Sequence, residues 1–139
     1  MRKFCTLFAP VLFIALFIGG CGSDSDKKAE SIMNKQVGIT ENYVNGLTKA
    51  QNSDEVVAAV EQYTAGMKEL IPQLQEFYKN HPEYRQGKMP EGMEKDLKRL
   101  EAASAKIPEA MMKITSYMMD PKVQQAMMQM GNEMSKIQQ

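Results

Sequence analysis

The sequence has few of the residues from which active sites are usually built. It contains one histidine, two cysteines and no tryptophan among 139 residues. His81 stands beside Pro82 in a stretch rich in turn-forming residues, and the sequence gives no basis for assembling a serine–histidine–acid set around it. A glycine-rich phosphate loop and a c-type haem motif are also missing. We therefore expect a protein that is not an enzyme, needs no cofactor and takes no small-molecule ligand.

An excess of basic charge is missing as well. The chain carries 17 basic and 17 acidic residues, which gives a formal net charge of zero. Proteins that bind nucleic acid usually show a clustered basic surface, because neutralising phosphates supplies much of their affinity. The charge balance therefore argues against a nucleic-acid partner.

The first twenty residues have a basic start followed by a short apolar run. Arg2-Lys3 precede the apolar residues 7–18, and Gly19-Gly20 follow them. This order is typical of a cleaved secretory signal. The run is shorter than the roughly 20 residues that a membrane-spanning helix needs, and residues 22–26 are small or acidic rather than basic. We predict that residues 1–20 are a leader that is removed on export.

The end of this leader, Ile18-Gly19-Gly20-Cys21, resembles the lipobox of bacterial lipoproteins: a branched apolar residue, two small residues and a cysteine. The resemblance covers the first 21 residues only. It implies that Cys21 is diacylglyceryl-modified and becomes the first residue of the mature chain. Further acylation, with palmitate for example, gives two or three chains, and these anchor a protein stably. The alternative is an ordinary signal peptide cut near Gly20 that leaves Cys21 unmodified.

The resemblance also implies a location. In Gram-negative lipoproteins of this kind, an aspartate directly after the cysteine commonly retains the protein in the inner membrane. Here that position is Gly22. We therefore expect an exported protein held on a membrane and facing the periplasm or the cell exterior, with the outer membrane favoured if the organism has one.

Cleavage after residue 20 would leave a small, mildly acidic protein. The remaining 119 residues carry 15 basic and 17 acidic side chains, a net charge of −2, and Cys21 as their one cysteine. An intramolecular disulfide is therefore excluded. We predict that residues 21–30 form a flexible tether, since they are polar and lack periodicity, and that residues 31–139 form one domain.

Apolar residues in the domain recur at alternating spacings of four and three, which is the helical period. We predict helices over about 31–50, 53–80, 93–118 and 121–137. Ser53 and Asp120 are the predicted N-caps of the second and fourth helices, and Pro108 should bend or break the third near Lys106. No segment shows strand periodicity. The prediction is an all-α antiparallel bundle with coiled-coil-like packing, whose spine is formed by the two long middle helices.

Methionine is abundant: eight of the 13 methionines lie between residues 111 and 134. Most of the domain's methionines fall on the predicted buried stripes, where a flexible thioether fills core gaps. These stripe methionines are Met67, Met93, Met111, Met118, Met127, Met130 and Met134. Met112, Met119 and Met128 each follow a stripe residue by one position, which turns them about 100° around the helix. We expect these three to be exposed, with Met112 and Met119 on one face of the third helix.

Two functions and a structural role remain open for the methionines. The first is a partner-binding surface formed by Met112, Met119 and Met128, since exposed methionines adapt to varied apolar partners. The second is a soft-metal site for Cu(I) or Ag(I), formed by these three with Met127, Met130 and Met134, because thioether sulfur is a soft ligand. The structural role is packing within the bundle or contact between copies of the chain, and the protein would then be a purely structural envelope lipoprotein. We favour a membrane-anchored lipoprotein that binds an envelope partner or itself.

Overall fold

The computed structural model describes residues 24–82 and 92–135, and within these residues the chain is all-α. The elements are α1 (Asp24–Lys49), α2 (Ser53–Asn80), α3 (Glu94–Ala105), α4 (Ile107–Lys113), a 3-10 turn (Thr115–Tyr117) and α5 (Pro121–Ser135). The predicted helical bundle is confirmed. None of the described helices combines the length and the apolar character that crossing a bilayer requires.

The direction of each helix follows from its contacts. Ion pairs join helices at Lys28–Glu76 (3.6 Å), Lys122–Asp54 (2.9 Å) and Lys68–Glu133 (3.5 Å). The first joins the start of α1 to the end of α2, so these helices are antiparallel. In the other two pairs, an early residue of α5 meets an early residue of α2 and a late residue of α5 meets a later residue of α2. These two helices are therefore parallel. α3 and α4 follow the direction of α1, and the bundle therefore alternates up, down, up and down.

Two groups of buried side chains hold the bundle together at its two ends. The first core cluster lies at the α1–α2 turn and consists of Tyr43, Val44, Leu47, Val56, Ala59, Val60, Ala110, Ile114, Val123 and Ala126. The second core cluster lies at the other end and consists of Ala29, Ile32, Leu70, Phe77 and Met93. Burying one large aliphatic side chain contributes about 1.5–3 kcal/mol, so each cluster stabilises the packing at its end of the bundle.

The spine of the bundle is the α1–α2 pair, not the two middle helices that we predicted. The most extensive contact is between α1 and α2, while α3 and α4 pack on α1 and α5 packs on α2. α1 therefore has neighbours on two sides. This explains why Ile32 and Tyr43 on one side of α1 are buried together with Val37 and Val44 on another.

Small residues allow α1 and α2 to approach closely. A Cβ atom added to Gly46 would lie 2.8 Å from the Cβ of Ala59, and one added to Gly66 would lie 2.9 Å from Cγ1 of Ile39. Both distances are shorter than real Cβ atoms tolerate. A glycine at position 46 is therefore required by the crossing of the two helices.

α1 begins at Asp24, seven residues before the predicted start at Ser31. The predicted flexible tether over residues 21–30 is therefore wrong from Asp24 onward; residues 21–23 lie outside the described residues. Ala29 is buried in the second core cluster, and Lys28 pairs with Glu76 of α2. These contacts with α2 stabilise a polar stretch that its own composition does not predict to be ordered.

α2 begins as predicted, but its cap is Asn52 and not Ser53. The side-chain oxygen of Asn52 accepts a hydrogen bond from the backbone N–H of Glu55 at 2.9 Å. The Glu55 carboxylate accepts in return from the backbone N–H of Gln51 at 2.8 Å. This reciprocal arrangement satisfies donors at the helix start and is worth about 1 kcal/mol. The predicted C-terminal end at Asn80 is confirmed.

The third predicted helix is broken where Pro108 predicts a break. α3 ends at Ala105, and the Lys106 N–H bonds back to the carbonyl of Ala103 at 3.1 Å before α4 starts at Ile107. Pro108 has no N–H to continue the ladder. The predicted stripe is shifted here, because Ala103 is buried and Ser104 is exposed. The start of α5 at Pro121 is confirmed, with Asp120 accepting from the Lys122 N–H at 2.9 Å.

Candidate functional site

Three methionines are exposed on α4, on α5 and on the segment that joins these helices. Among the described residues, the large apolar side chains that are exposed are Met112 (70%), Met119 (81%) and Met128 (65%). Met112 lies in the last turn of α4, Met119 lies between the 3-10 turn and α5, and Met128 lies midway along α5. Their exposure agrees with the sequence prediction. We call these three residues the methionine surface.

Each of the three follows a methionine that faces the core. Met111, Met118 and Met127 are half-buried and pack against the first core cluster. The hydroxyl of Tyr43 donates a hydrogen bond to the sulfur of Met111 at 3.9 Å. Adjacent residues differ by about 100° around an α-helix, so when Met111 or Met127 packs inward the next residue is turned towards water.

Met112 and Met119 do not share one helix face, which corrects the sequence prediction. α4 ends at Lys113, and the Thr115 hydroxyl then donates to the Met112 carbonyl at 2.8 Å. The 3-10 turn follows and changes the helical period between the two methionines. The two side chains therefore flank a turn instead of lining a helix.

The surroundings of the methionine surface are polar. Lys113 pairs with Glu109 at 3.4 Å on α4. A shallow depression beside Met128 is lined by side chains of α5 such as Gln125, Gln129 and Asn132. Exposed apolar side chains within a polar surround match the anatomy of a protein-binding surface, where a few apolar anchors are rimmed by polar groups.

The start of α5 is fixed to the start of α2 by a polar network. Asp120 accepts a hydrogen bond from the Ser53 side chain and another from the backbone N–H of Lys122, and these bonds lower the pKa of the Asp120 carboxyl. The Lys122 ammonium donates to Asp54 at 2.9 Å, which raises the pKa of Lys122. This network holds the segment that carries Met119 against the end of the bundle.

The alternative soft-metal set is divided between two faces. Met127 and Met130 pack against the first core cluster, and Met134 is half-buried further along α5. Met112, Met119 and Met128 point outward. Histidine, cysteine and carboxylate ligands do not gather in groups of three or more anywhere in the described part of the chain. No feature of this arrangement favours a metal site over a protein-binding surface.

Other predicted site residues have structural positions or lie outside the description. Cys21 is outside the described residues. His81 is the C-cap of α2: its backbone N–H bonds to the Phe77 carbonyl at 2.9 Å, and the two rings lie 4.9 Å apart. His81 therefore has a structural role at the end of α2, where it caps the helix and packs against Phe77.

The sequence does not predict a partly exposed ion network that joins Asp96 and Arg99 of α3 to Glu41 of α1. Asp96 is only 8% exposed. The Arg99 guanidinium bonds Glu41 of α1 through two nitrogens, at 2.9 and 3.3 Å, and Asp96 at 3.3 Å. Glu41 first and then Asp96 raise the pKa of Arg99. The network attaches α3 to α1. The spacing of residues along α3 does not predict it, because Glu41 lies far away in the sequence.

A groove on the α1–α2 face contains the aromatic pair Tyr43 and Tyr63, whose ring centroids are 4.5 Å apart. Burial raises the pKa of both phenols, and for Tyr43 the neighbouring Tyr63 raises it further. Both rings therefore stay neutral at physiological pH. The rest of its lining is formed by small, apolar and amide side chains and by Glu69, and the two rings pack α1 against α2.

Comparison of the chain with protein-family models, with curated proteins and with solved structures found no match. The assignment of a function therefore depends on the chain's own residues.

Proposed function

We propose that this protein is an exported, lipid-anchored lipoprotein whose helical bundle binds a protein partner in the cell envelope through Met112, Met119 and Met128. The observation that carries the binding proposal is the exposure of these three side chains in a bundle whose other described large apolar residues are at least half-buried. Leaving such a side chain in water forgoes about 25 cal/mol for each Å² that burial would remove. Contact with a partner would recover that free energy.

The side-chain chemistry supports a protein partner over a small ligand. A thioether is polarizable and its chain has several rotatable bonds, so it adapts to apolar partners of different shape. Met112 and Met119 are exposed around a turn, and Met128 lines only a shallow depression, so these positions suit contact with another protein, whereas small ligands occupy concave sites that enclose them. The anchor proposal is supported by the sequence alone, through the leader and the Cys21 motif.

A site-specific cross-link tests the docking proposal without altering any methionine. Ser116 is exposed in the 3-10 turn between Met112 and Met119, and Ala102 is exposed on α3. A photo-reactive residue at position 116 should give a defined cross-linked product in intact cells, while the same residue at position 102 should not. Equal products from both positions, or none from position 116, would contradict the proposal.

Charge substitution provides the matched test of the side chains themselves. Met112→Lys combined with Met119→Lys should leave the helical circular dichroism unchanged, since neither side chain belongs to a core cluster, and should abolish the cross-link from position 116. The control is Ala58→Lys with Ala102→Lys, two exposed positions on α2 and α3. A cross-link that survives the methionine substitutions would refute the proposed surface.

The anchor is tested separately. Cys21→Ser should move the protein from the detergent phase to the aqueous phase in a Triton X-114 partition and should remove the lipid mass from the N-terminal peptide. Continued partitioning of Cys21→Ser into detergent would show that Cys21 is not the attachment point.

A further inference from the structure

The seven methionines between residues 111 and 130 divide into two sets by exposure. The outer set is Met112, Met119 and Met128. The inner set packs half-buried against the first core cluster and consists of Met111, Met118, Met127 and Met130. Thioethers are oxidised by hydroperoxides to sulfoxides, and a buried sulfur is reached more slowly than an exposed one. The fold therefore places three reactive sulfurs outside and a protected set within.

We propose that Met112, Met119 and Met128 are sites of reversible oxidation by hydroperoxides, and that their oxidation switches the methionine surface from apolar to polar while the bundle stays folded. The second half of this statement rests on the proposed function, since it assumes that the surface binds a partner. The first half depends only on the exposure of the three side chains.

The reaction is a two-electron oxidation of sulfur. A sulfur lone pair attacks one oxygen of the hydroperoxide, the O–O bond breaks, and an S–O bond forms. The departing oxygen leaves as water from hydrogen peroxide, or as the alcohol from an organic hydroperoxide, after taking up the proton of the attacked oxygen. Sulfur is oxidised and the peroxide is reduced. Methionine sulfoxide reductases reverse the change, with one enzyme for each sulfoxide epimer.

The fold tolerates this change at the outer set because none of the three side chains contributes to a core cluster. Each new sulfoxide oxygen can be solvated at its exposed position. The inner set differs: a sulfoxide at Met111 would place a polar group against the first core cluster and disturb the Tyr43 hydroxyl that now donates to its sulfur at 3.9 Å. Oxidation of the inner set is therefore coupled to loss of packing.

The consequence for docking follows from polarity. An apolar partner site gains free energy by covering a thioether, whereas covering a sulfoxide would bury an S–O group that needs a hydrogen bond. Under the proposed anchor, acylation occupies the Cys21 thiol, which leaves methionine as the oxidant-sensitive side chain of the mature chain. Mild oxidation would release the partner and enzymatic reduction would restore binding.

Peptide mapping tests the modification sites. The full-length chain, expressed in a bacterium and purified in detergent, is treated with hydrogen peroxide and digested at intervals. Sulfoxide should form at Met112, Met119 and Met128 several-fold faster than at Met111 and at Met93, which is only 6% exposed. The melting temperature should not change during this fast phase, and both reductases together should remove the added oxygen. Equal rates at all five positions, or a fall in helicity with the first sulfoxides, would overturn the assignment.

The position-116 cross-link tests the switch. Peroxide treatment that completes the fast phase should reduce the cross-link several-fold, and the variant Met112→Leu/Met119→Leu/Met128→Leu should keep its cross-link after the same treatment. A cross-link that persists on the fully oxidised outer set would overturn the switch. A missing cross-link before oxidation would instead refute the proposed function, while the peptide map would still decide the modification sites.

Discussion

At the scale of single residues, three methionine pairs show how position decides the role of a side chain. In the pairs 111–112, 118–119 and 127–128, the first member packs against the first core cluster and the second is exposed. The rotation between adjacent helical residues made this division predictable from the sequence. The relation between Met112 and Met119 was not predictable, because the 3-10 turn that separates them depends on local hydrogen bonds such as that from Thr115 to the Met112 carbonyl.

The Asp120 carboxylate gives a residue-scale prediction about pH. Its hydrogen bonds from Ser53 and from the Lys122 N–H lower its pKa in the folded protein. A carboxyl with a lowered folded pKa stabilises the protein above its unfolded pKa of about 3.9, and this stabilisation is lost as the pH falls through the folded value. The free energy of unfolding should therefore fall below about pH 4, in part through this group.

The measurement is a carboxyl-carbon NMR titration of Asp120. Wild type should titrate below the ordinary aspartate range, and Ser53→Ala should shift the midpoint upward because it removes the largest cause. The variant should also reduce the dependence of unfolding on acid pH. An Asp120 midpoint in the ordinary range for the wild type would contradict this account of the α2–α5 network.

At the scale of whole helices, the sequence predicted well which segments are helical and predicted poorly which helices contact each other. The bounds of α2 and the start of α5 agree because caps and prolines are local signals: Asn52 lies one residue from the predicted cap, and Pro121 opens α5. The early start of α1 depends on a tertiary contact that no local pattern contains, the burial of Ala29 in the second core cluster. The exposed Lys28–Glu76 pair adds little to it. The choice of α1 as a spine helix depends likewise on contacts between residues far apart in the chain.

The α1–α2 crossing gives the element-scale prediction. Gly46→Ala would place a Cβ 2.8 Å from that of Ala59, so the helices must move apart and the protein should lose about 1–3 kcal/mol of stability. Gly38→Ala on the same helix meets no atom within 4 Å and should instead stabilise by roughly 0.5–1 kcal/mol, because alanine loses less backbone freedom in a helix. Urea unfolding of the two variants measures both changes, and equal effects from both would contradict the close crossing.

At the scale of the whole molecule, the start of α1, which the proposed anchor precedes, lies at the opposite end of the bundle from Met112 and Met119. Cys21 precedes Asp24 by three residues, a covalent reach of at most about 11 Å. The α4 segment that carries Met112 packs at the far end of α1, beside Tyr43 and Leu47. The 26 residues of α1 span about 39 Å at 1.5 Å per residue. A protein that binds this surface would therefore do so at a distance from the bilayer that holds the anchor.

Energy transfer in vesicles tests this orientation. Under the proposed lipidation Cys21 is blocked, so Asn80→Cys at the end of α2 and Thr48→Cys near the end of α1 each provide a single thiol for a donor dye; both positions are exposed. With acceptor dyes on the lipid head groups, transfer should be strong from position 80 and weak from position 48, because the bundle stands on its anchored end. Equal transfer would mean that the bundle lies on its side, and the methionine surface would then be open to partners within the same membrane. The Cys21→Ser version of each variant should show no transfer, which separates a wrong orientation from a missing anchor.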